Sequence, residues 1–236
     1  MPNYVTQKQE ANKQIRLYQP NSVGTISMTL PIVIPFRPVN SKKRLKGIMS
    51  QEEREGFARA MLSDVIETVT NAGCTPVLLT TKEISNIDAQ VRVIVLDLGL
   101  NEALDVFRKE QNGPFGIVMA DLALCNTKSL MQLVQTSAAF GIVPGTGGGT
   151  NAIYIRDGSA FKAQYYGFSF LKHLTWAQEQ GYSIEIIDSF RLSTDIDEPG
   201  DLVEIFIHTE RNAATYLNQI GFRLCAEEGK VRVKRI

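Results

Sequence analysis

The chain has 236 residues and a hydrophobic content of 44%, which are typical of one globular domain with a full core. Its 25 basic and 25 acidic residues give a formal net charge of zero, which argues against broad binding to nucleic acid or to a membrane surface. The sequence has no apolar run long enough to span a bilayer and no apolar signal core near its start, so we expect a cytoplasmic protein.

The first 27 residues differ in composition from the rest of the chain. Residues 1–27 are polar and rich in Gln and Asn, which predicts an extension outside the core, either flexible or loosely helical. The alternative is that this stretch lies upstream of a functional start at Met28. In both cases the predicted globular domain spans residues 28–236.

The domain alternates between strand-like and helical segments. The first apolar strand is predicted at residues 30–35, and Ser50 with Glu53 forms a capping box for a helix that Gly73 ends. Further strands are predicted at 77–79, 91–96, 117–120, 142–143, 153–155 and 184–187, and helices at 101–110, 128–139, 169–180 and 201–217, before a closing hairpin at 222–225 and 231–233. This pattern predicts an α/β domain of doubly wound character, with a mostly parallel sheet covered by helices on both faces. In such sheets ligands bind beyond the carboxyl ends of the strands.

A basic loop follows the first predicted strand directly. It contains Arg37, Lys42, Lys43 and Arg44, and it lies at the expected ligand edge of the sheet. Composition alone favours a solvated loop, whereas the position after the strand makes phosphate binding equally well supported. The glycine-rich P-loop motif is absent from the sequence.

Three aspartates are candidates for holding a cation. Asp121 follows the predicted strand at 117–120, where a carboxylate either caps the next turn or binds an ion. Asp195 and Asp197 are two residues apart and face the same side in an extended segment. Such hard oxygen ligands suit magnesium. The alternative for Asp197 is that it caps a helix with Pro199 in its first turn.

Two further segments carry groups that suit anionic ligands. Residues 144–152 include Gly148 and Gly149, whose backbone can approach a ligand closely, followed by Thr150 and Asn151. A plain flexible loop is the alternative. Ser169 opens a predicted helix, where it either caps the helix or joins an anion site.

Nucleophilic and metal-cluster chemistry has little support in the sequence. The histidines and cysteines form no recognisable nucleophile pair or metal cluster. His173 is expected to be a packed or hydrogen-bonded helix residue, His208 has no catalytic context, and Cys74 and Cys125 are expected to be buried thiols. The remaining cations, glycines and carboxylates are the parts that phosphoryl or nucleotidyl transfer needs.

From residue 30 to 236 the sequence resembles the 2-phospho-L-lactate guanylyltransferases of deazaflavin coenzyme F-420 biosynthesis. The resemblance rests on Val33-Ile34-Pro35, Lys42-x-Arg44-Leu45, Ser50-x-x-Glu53-Arg54, Met61-Leu62-x-Asp64-Val65, Leu100-Asn101-Glu102-Ala103-Leu104, Met119-Ala120-Asp121-Leu122, Gly147-Gly148-Gly149-Thr150-Asn151-Ala152, Tyr166-Gly167-x-Ser169-Phe170-x-x-His173 and Thr194-Asp195-Ile196-Asp197-x-Pro199. It implies a Rossmann-like nucleotidyltransferase fold.

The resemblance also implies roles for individual residues. Asp121, Asp195 and Asp197 would bind magnesium. The phosphorylated acid or the transferring phosphate would be held by Lys42, Thr150, Gly167 and Ser169, and the nucleotide by Arg37, Arg44 and Asn101. The family usually has Lys where this chain has Arg37, which keeps the charge, and Pro where it has Ala123, which alters loop stiffness.

The implied reaction is transfer of GMP from GTP to 2-phospho-L-lactate with release of pyrophosphate. Phosphoenolpyruvate or another phosphorylated three-carbon acid is an alternative acceptor for the same chemistry. A sugar-nucleotide glycosyltransferase and a non-catalytic GTP-binding module are alternatives from other classes. The C-terminal helix and hairpin are a candidate surface for a homodimer.

Overall fold

A computed structural model describes residues 29–111, 113–227 and 229–236. The predicted extension at residues 1–27 and the proposed start at Met28 lie outside these ranges. Within them, no helix is both long and apolar enough to cross a membrane.

A central mixed sheet organises the domain. In the described residues it has seven strands in the order β3-β2-β1-β4-β6-β5-β7. The strands are β1 Pro31–Phe36, β2 Thr75–Thr80, β3 Arg92–Val95, β4 Phe115–Val118, β5 Phe140–Pro144, β6 Thr150–Ile155 and β7 Ile184–Ile186. Strand β6 runs antiparallel to both β4 and β5, and the other neighbouring pairs are parallel. The prediction of a mostly parallel sheet is confirmed.

Helices cover both faces of the sheet, as the sequence predicts. They are α1 Gln51–Asn71, α2 Leu100–Glu110, α3 Thr127–Val134, α4 Ser169–Glu179, α5 Phe190–Ser193, α6 Leu202–His208 and α7 Asn212–Gln219. Alternate residues of β1 enter different cores: Ile32 and Ile34 pack with α1, and Val33 packs in the cluster that contains residues of α2 and α4. Burial of a strand on both faces explains its uninterrupted apolar sequence.

The C-terminal part forms a third core. Residues of α6 and α7 pack with Leu45, Phe57 and Phe222. The strands β8 Phe222–Glu227 and β9 Lys230–Arg235 form the predicted closing hairpin as a separate antiparallel pair.

Two predicted helices differ from the structure. The helix predicted at 201–217 is two helices, α6 and α7, which are separated at residues 209–211. The break is stabilised by Asp64 of α1, whose carboxylate accepts hydrogen bonds from the backbone N–H groups of Asn212 and Ala213 at the start of α7. The helix predicted at 128–139 ends at Val134, because the Thr136 hydroxyl accepts a hydrogen bond from the N–H of Ala138 and forms a turn.

The predicted helix start is observed, and the two predicted thiols differ in their burial. Ser50 and Glu53 form the capping box at the start of α1, as predicted. Cys125 is buried, and this burial raises its pKa to about 11, which suits an inert core thiol. Cys74 is only partly buried, and its pKa is also raised by burial.

Candidate active site

The predicted site residues lie at one edge of the sheet. Arg37 and the basic loop follow the carboxyl end of β1, and Asp121 closely follows β4. Because β6 is antiparallel, its first residues, Thr150 and Asn151, lie at the same edge. Between β1 and β4 the chain order of the strands reverses, and this is the position where doubly wound sheets bind ligands.

Lys42 is the cation of the basic loop that points inward. Its side chain is 8% exposed, and its Nζ lies 2.8 Å from Asp121 Oδ2 and 2.6 Å from Asp197 Oδ1. Burial by itself would lower the pKa of Lys42, but the charges of Asp121 and Asp197 outweigh it and hold the pKa above its ordinary value. Lys42 therefore remains charged beside these two carboxylates.

The backbone of the basic loop is shaped by two left-handed residues. Asn40 has a φ of 57° and Lys42 a φ of 49°. The N–H of Asn40 donates to Glu55 Oε1 of α1 at 2.7 Å, which holds this conformation. A left-handed residue other than glycine costs about 1–2 kcal/mol, so the inward position of Lys42 is imposed by the surrounding structure.

Backbone pairing joins the aspartate segments. The N–H of the buried Ile196 donates to the carbonyl oxygen of Asp121 at 3.3 Å. Asp195 and Asp197 therefore flank a residue that is fixed against Asp121. Burial raises the pKa of Asp195 above its ordinary value, the hydrogen bond from Asn151 opposes this shift, and the charge of Asp121 adds to it.

The alternative role of Asp197 as a helix cap is not what the structure shows. The carboxylate of Asp201 accepts hydrogen bonds from the N–H groups of Asp197 and Glu198 at 2.8 and 2.7 Å. The Asp197 carboxylate instead contacts Lys42 and, at 3.4 Å, Nη1 of Arg44. The Arg44 side chain is 66% exposed, so it remains accessible to a ligand.

The loop between β5 and β6 is a compact turn. Gly147 and Gly148 have φ values of 89° and 85°, which side chains rarely adopt. The N–H of Gly145 donates to the carbonyl oxygen of Gly149 at 2.9 Å and closes the turn. A Cβ added at Gly148 or Gly149 would meet no atom within 4 Å, so this backbone is open to a ligand.

Asn151 supports Asp195. It is buried, and its Nδ2 donates to the carbonyl oxygen of Leu192 at 3.0 Å and to Asp195 Oδ1 at 3.2 Å. Any side chain at Gly145 would overlap the Asn151 amide, which explains why a glycine suits that position. Asn151 therefore acts on Asp195 in this structure, a role that the sequence did not indicate.

A second turn brings α4 to the site. Gly167 and Phe168 are both left-handed, with φ values of 57° and 49°, and Phe168 is the N-cap residue of α4. Ser169, which the sequence offers as a cap, is instead the buried first residue of the helix. The N–H of Phe170 donates to the carbonyl oxygen of Gly148 at 3.3 Å, so the start of α4 and the glycine turn are in direct contact.

Asn101 and His173 hold the neighbouring backbone. Asn101 Oδ1 accepts a hydrogen bond from the N–H of Tyr165 at 2.8 Å, and the Tyr166 hydroxyl accepts one from the N–H of Leu100 at 3.3 Å. His173 is completely buried and hydrogen-bonded through both ring nitrogens. The interpretation of His173 as a packed, hydrogen-bonded residue is confirmed.

Two adjoining cavities open at this edge. The charged cavity has a volume of about 230 Å³ and is lined by residues that include Arg37, Ser41, Lys42, Asp121 and Asp197. The apolar cavity has a volume of about 300 Å³ and is lined by residues that include Leu79, Thr80, Thr81, Leu96, Leu98 and Tyr166. Both share Pro35, Phe36, Arg37 and Met119, so they form one continuous cleft with a charged end and an apolar end.

Sequence reasoning missed Ser41 and the lining of the apolar cavity. The Ser41 hydroxyl oxygen is buried beside Lys42 and has no hydrogen-bond partner in the described part of the chain. Its position within the basic loop was a signal, but serine is common in loops. Tyr166 was part of a quoted motif, and no property of the sequence indicated that it lines a cavity.

Comparison with known proteins identifies the family. A family model described as "Guanylyl transferase CofC like" matches residues 30–236. The chain belongs to this family. A 2-phospho-L-lactate guanylyltransferase of Methanosphaerula palustris is 50% identical over 208 residues, covering 88% of this chain and 99% of its own length. Relatives with the same name from Methanoregula boonei and Methanosarcina mazei are 49% and 40% identical, covering 86% and 84% of this chain and 94% and 96% of their own lengths.

Solved structures agree on the fold of this CofC-like guanylyl transferase. A candidate nucleotide-diphospho-sugar transferase of Desulfovibrio desulfuricans G20 aligns with a TM-score of 0.65 at 11% identity, covering 80% of this chain and 94% of its own. A nucleotidyl transferase from Methanothermobacter aligns with a TM-score of 0.52 at 11% identity, covering 82% and 100%. The predicted Rossmann-like nucleotidyltransferase fold and the membership of an enzyme family are confirmed.

Proposed function

We propose that this chain transfers GMP from GTP to 2-phospho-L-lactate and releases pyrophosphate, as a step in deazaflavin coenzyme F-420 biosynthesis. The names of its relatives support this activity. The observation that carries the proposal is the position of Lys42 between Asp121 and Asp197 where the strand order reverses. Phosphoryl and nucleotidyl transfer depend on such positioned charges more than on a protein nucleophile.

The cleft offers a place for each part of GTP. The apolar cavity suits the purine and ribose, since binding sites for small molecules are mostly apolar with a few polar groups. Thr80, Thr81 and Tyr166 supply the uncharged polar side chains of this lining. We assign the triphosphate to Arg37, Lys42 and Arg44, because Arg37 lines both cavities, Lys42 lines the charged cavity, and Arg44 pairs with Asp197 beside it.

The acceptor is assigned to the glycine turn and the start of α4. Backbone amides at a helix N-terminus attract anions, and the open backbone of Gly148, Gly149 and Gly167 permits close approach. The hydroxyl groups of Thr150 and Ser169 supply further hydrogen bonds. Both anionic groups of the acceptor, its phosphate and its carboxylate, fit this environment.

The reaction is an in-line displacement at the α-phosphorus of GTP. An oxygen of the acceptor phosphate forms the new bond, and the bond from the α-phosphorus to the bridging oxygen of the β-phosphate breaks. Pyrophosphate carries away the electron pair, and the positive charges of Lys42, Arg37 and Arg44 offset its negative charge. A phosphate monoester has a second pKa of about 6 and is largely ionised near neutral pH, so the attack needs no general base.

Magnesium is the proposed cofactor. Asp121, Asp195 and Asp197 offer the hard carboxylate oxygens that magnesium prefers, next to the proposed triphosphate site. Among the described residues, no three His, Cys, Asp or Glu side chains come together as a complete metal site. When bound, magnesium would supply a Lewis acid for the phosphate oxygens of GTP. Asn151 and Lys42 then serve to orient the carboxylates.

The charges of the proposed substrates and of the protein bear on its location and its other partners. GTP and a phosphorylated acid do not cross membranes unaided, which supports a cytoplasmic location. The formal net charge of zero argues against a nucleic-acid or membrane partner. The homodimer through the C-terminal helix and hairpin stays a prediction.

The test is release of pyrophosphate by the purified chain with magnesium. We expect release only when GTP and 2-phospho-L-lactate are both present, and little release with ATP or with phosphoenolpyruvate. Release that needs phosphoenolpyruvate instead would change the acceptor and retain the chemistry. Binding of GTP without release under any of these conditions would overturn the proposed activity and favour a non-catalytic GTP-binding module or a glycosyltransferase, which would form a nucleoside diphosphate.

A further inference from the structure

His173 contacts Thr150, a residue of the proposed acceptor site, from the protein interior. Its ring lies between Phe161, which stacks on it with centroids 5.8 Å apart, and Tyr165, which meets it edge-on at 5.0 Å. Nδ1 lies 2.9 Å from Thr150 Oγ1, and Nε2 lies 3.0 Å from the backbone nitrogen of Gln164. The ring is fully buried, so these two contacts decide where its proton resides.

The backbone contact fixes the tautomer of the ring. A backbone N–H always donates, so Nε2 must accept the hydrogen bond from Gln164 and carries no proton. Burial, and next the charge of Lys172, lower the pKa of His173 to about 4, which keeps the ring neutral near neutral pH. The single proton is therefore on Nδ1, and Nδ1–H donates to the Thr150 hydroxyl.

This donation determines what the Thr150 hydroxyl can do. Since its oxygen accepts from His173, its own hydrogen must point elsewhere, and within the described residues it has no other side-chain or backbone partner. Thr150 is the first residue of β6, directly after the glycine turn that contacts α4. We propose that His173 is a positioning residue that directs the Thr150 hydroxyl hydrogen toward an anionic oxygen of the acceptor. This inference rests on the proposed acceptor site.

Two substitutions separate the contacts of His173. In His173→Asn the amide nitrogen is as many bonds from the backbone as Nδ1, so it can still donate to Thr150, but the contact with Gln164 is lost. In His173→Gln the longer side chain can still accept from the Gln164 N–H, but the donor to Thr150 is lost. Each variant therefore retains one of the two contacts of His173 and loses the other. The two substituted side chains are similar in polarity and size.

The expected result is a selective loss for the acceptor. We expect His173→Gln to lower kcat/KM for the acceptor by about 2- to 10-fold, the range for a lost hydrogen bond between uncharged groups, with the KM for GTP unchanged. His173→Asn should retain most of the activity. Equal losses of kcat/KM in both variants would assign His173 a packing role only and overturn the proposal. The same holds if the losses of kcat/KM parallel the decreases in the urea concentration at which each variant unfolds.

A double substitution tests whether the effect passes through Thr150. Thr150→Val keeps the shape of the side chain and removes the hydroxyl, so His173→Gln should cost nothing further in that background. Additive losses would contradict the proposal. The acceptor that supports turnover in the unmodified chain is used throughout, so a failure with 2-phospho-L-lactate affects the proposed function alone.

The unmodified protein allows a check that does not depend on the variants folding. Selective ¹⁵N labelling of histidine distinguishes a protonated from an unprotonated ring nitrogen by NMR. We expect one buried imidazole with the proton on Nδ1 and Nε2 unprotonated at neutral pH. An Nε2–H tautomer or a charged ring at His173 would overturn the proposal.

Discussion

Lys42 is the residue on which the electrostatics of the site depend. Its Nζ contacts Asp121 and Asp197 and is almost fully buried between them. We expect Lys42→Gln to lower kcat/KM for GTP by about 100-fold or more, since the proposed triphosphate site loses a buried positive charge that also orients Asp121 and Asp197. The measurement is steady-state pyrophosphate release at fixed acceptor concentration.

Lys46→Gln is the matched control for Lys42. It removes the same charge from an exposed position of a short 3-10 helix, Lys43–Gly47, where Lys46 has no ion pair in the described residues. We expect rates close to those of the unmodified chain. Near-normal turnover of Lys42→Gln would show that the buried pairs stabilise the loop and do not serve the reaction.

Asp195 and Asp121 test the magnesium proposal. Asp195→Asn keeps an oxygen that can accept from Asn151, and Asp121→Asn keeps the shape of the side chain. We expect each substitution to lower kcat by about 100-fold or more at saturating magnesium, since a metal contributes several kcal/mol to such transition states. Rates near normal in both variants, with unchanged urea midpoints, would remove the aspartates from the metal assignment.

For single residues, the sequence predicted which residues lie near the site, but it did not predict the contacts that they make there. Charged residues that follow strands identified the basic loop and Asp121, and the family resemblance selected Lys42 within that loop. The sequence does not show which cation of the basic loop turns inward, because this depends on left-handed backbone at Asn40 and on Asp197, which lies 155 residues after Lys42. The same limit applies to Asn151, whose partner Asp195 is 44 residues away.

Among the elements, α7 depends on a side chain from another helix. Asp64 of α1 is fully buried and accepts three hydrogen bonds, from the N–H groups of Asn212 and Ala213 and from Nδ2 of Asn212. A carboxylate at a helix N-terminus also interacts favourably with the helix dipole. Arg211 donates to the carbonyl oxygens of Asp64, Ala123 and Cys125, so the break between α6 and α7 joins three parts of the domain.

Loss of this contact should destabilise the whole domain. We expect Asp64→Asn to lower the free energy of unfolding by about 2–4 kcal/mol, because its amide brings a donor to buried N–H groups. The measurement is urea unfolding followed by fluorescence of Trp176, the single tryptophan. Glu67→Gln removes the same charge from an exposed position of α1 and should change stability by less than about 0.5 kcal/mol. Equal stability of the two variants would contradict this role of Asp64.

The broken helix illustrates what periodicity misses between elements. Residues 201–217 have helical spacing, and no glycine or proline marks residues 209–211. The break depends on a tertiary contact with Asp64, which a local pattern cannot contain. The start of α1, by contrast, was predicted because its capping residues, Ser50 and Glu53, are local.

For the whole molecule, the class of fold was predictable and the strand order was not. Apolar strands alternating with helices indicated a layered α/β domain. The orientation of β6 cannot be read from its sequence, since it is buried on both faces like β4 and β5, the strands to which it runs antiparallel. That orientation nevertheless brings Thr150 to the same edge as Asp121, so a feature invisible in the sequence completes the site.

The most direct test of the proposed reaction follows the α-phosphorus of GTP. GTP labelled at that position is incubated with magnesium, 2-phospho-L-lactate and the purified chain, and the product is analysed by ³¹P NMR and mass spectrometry. We expect the label in a diphosphate that joins lactate to guanosine, with an equal amount of pyrophosphate released. Label that remains in GDP or appears only in free GMP would show that the chain does not transfer a nucleotidyl group to this acid.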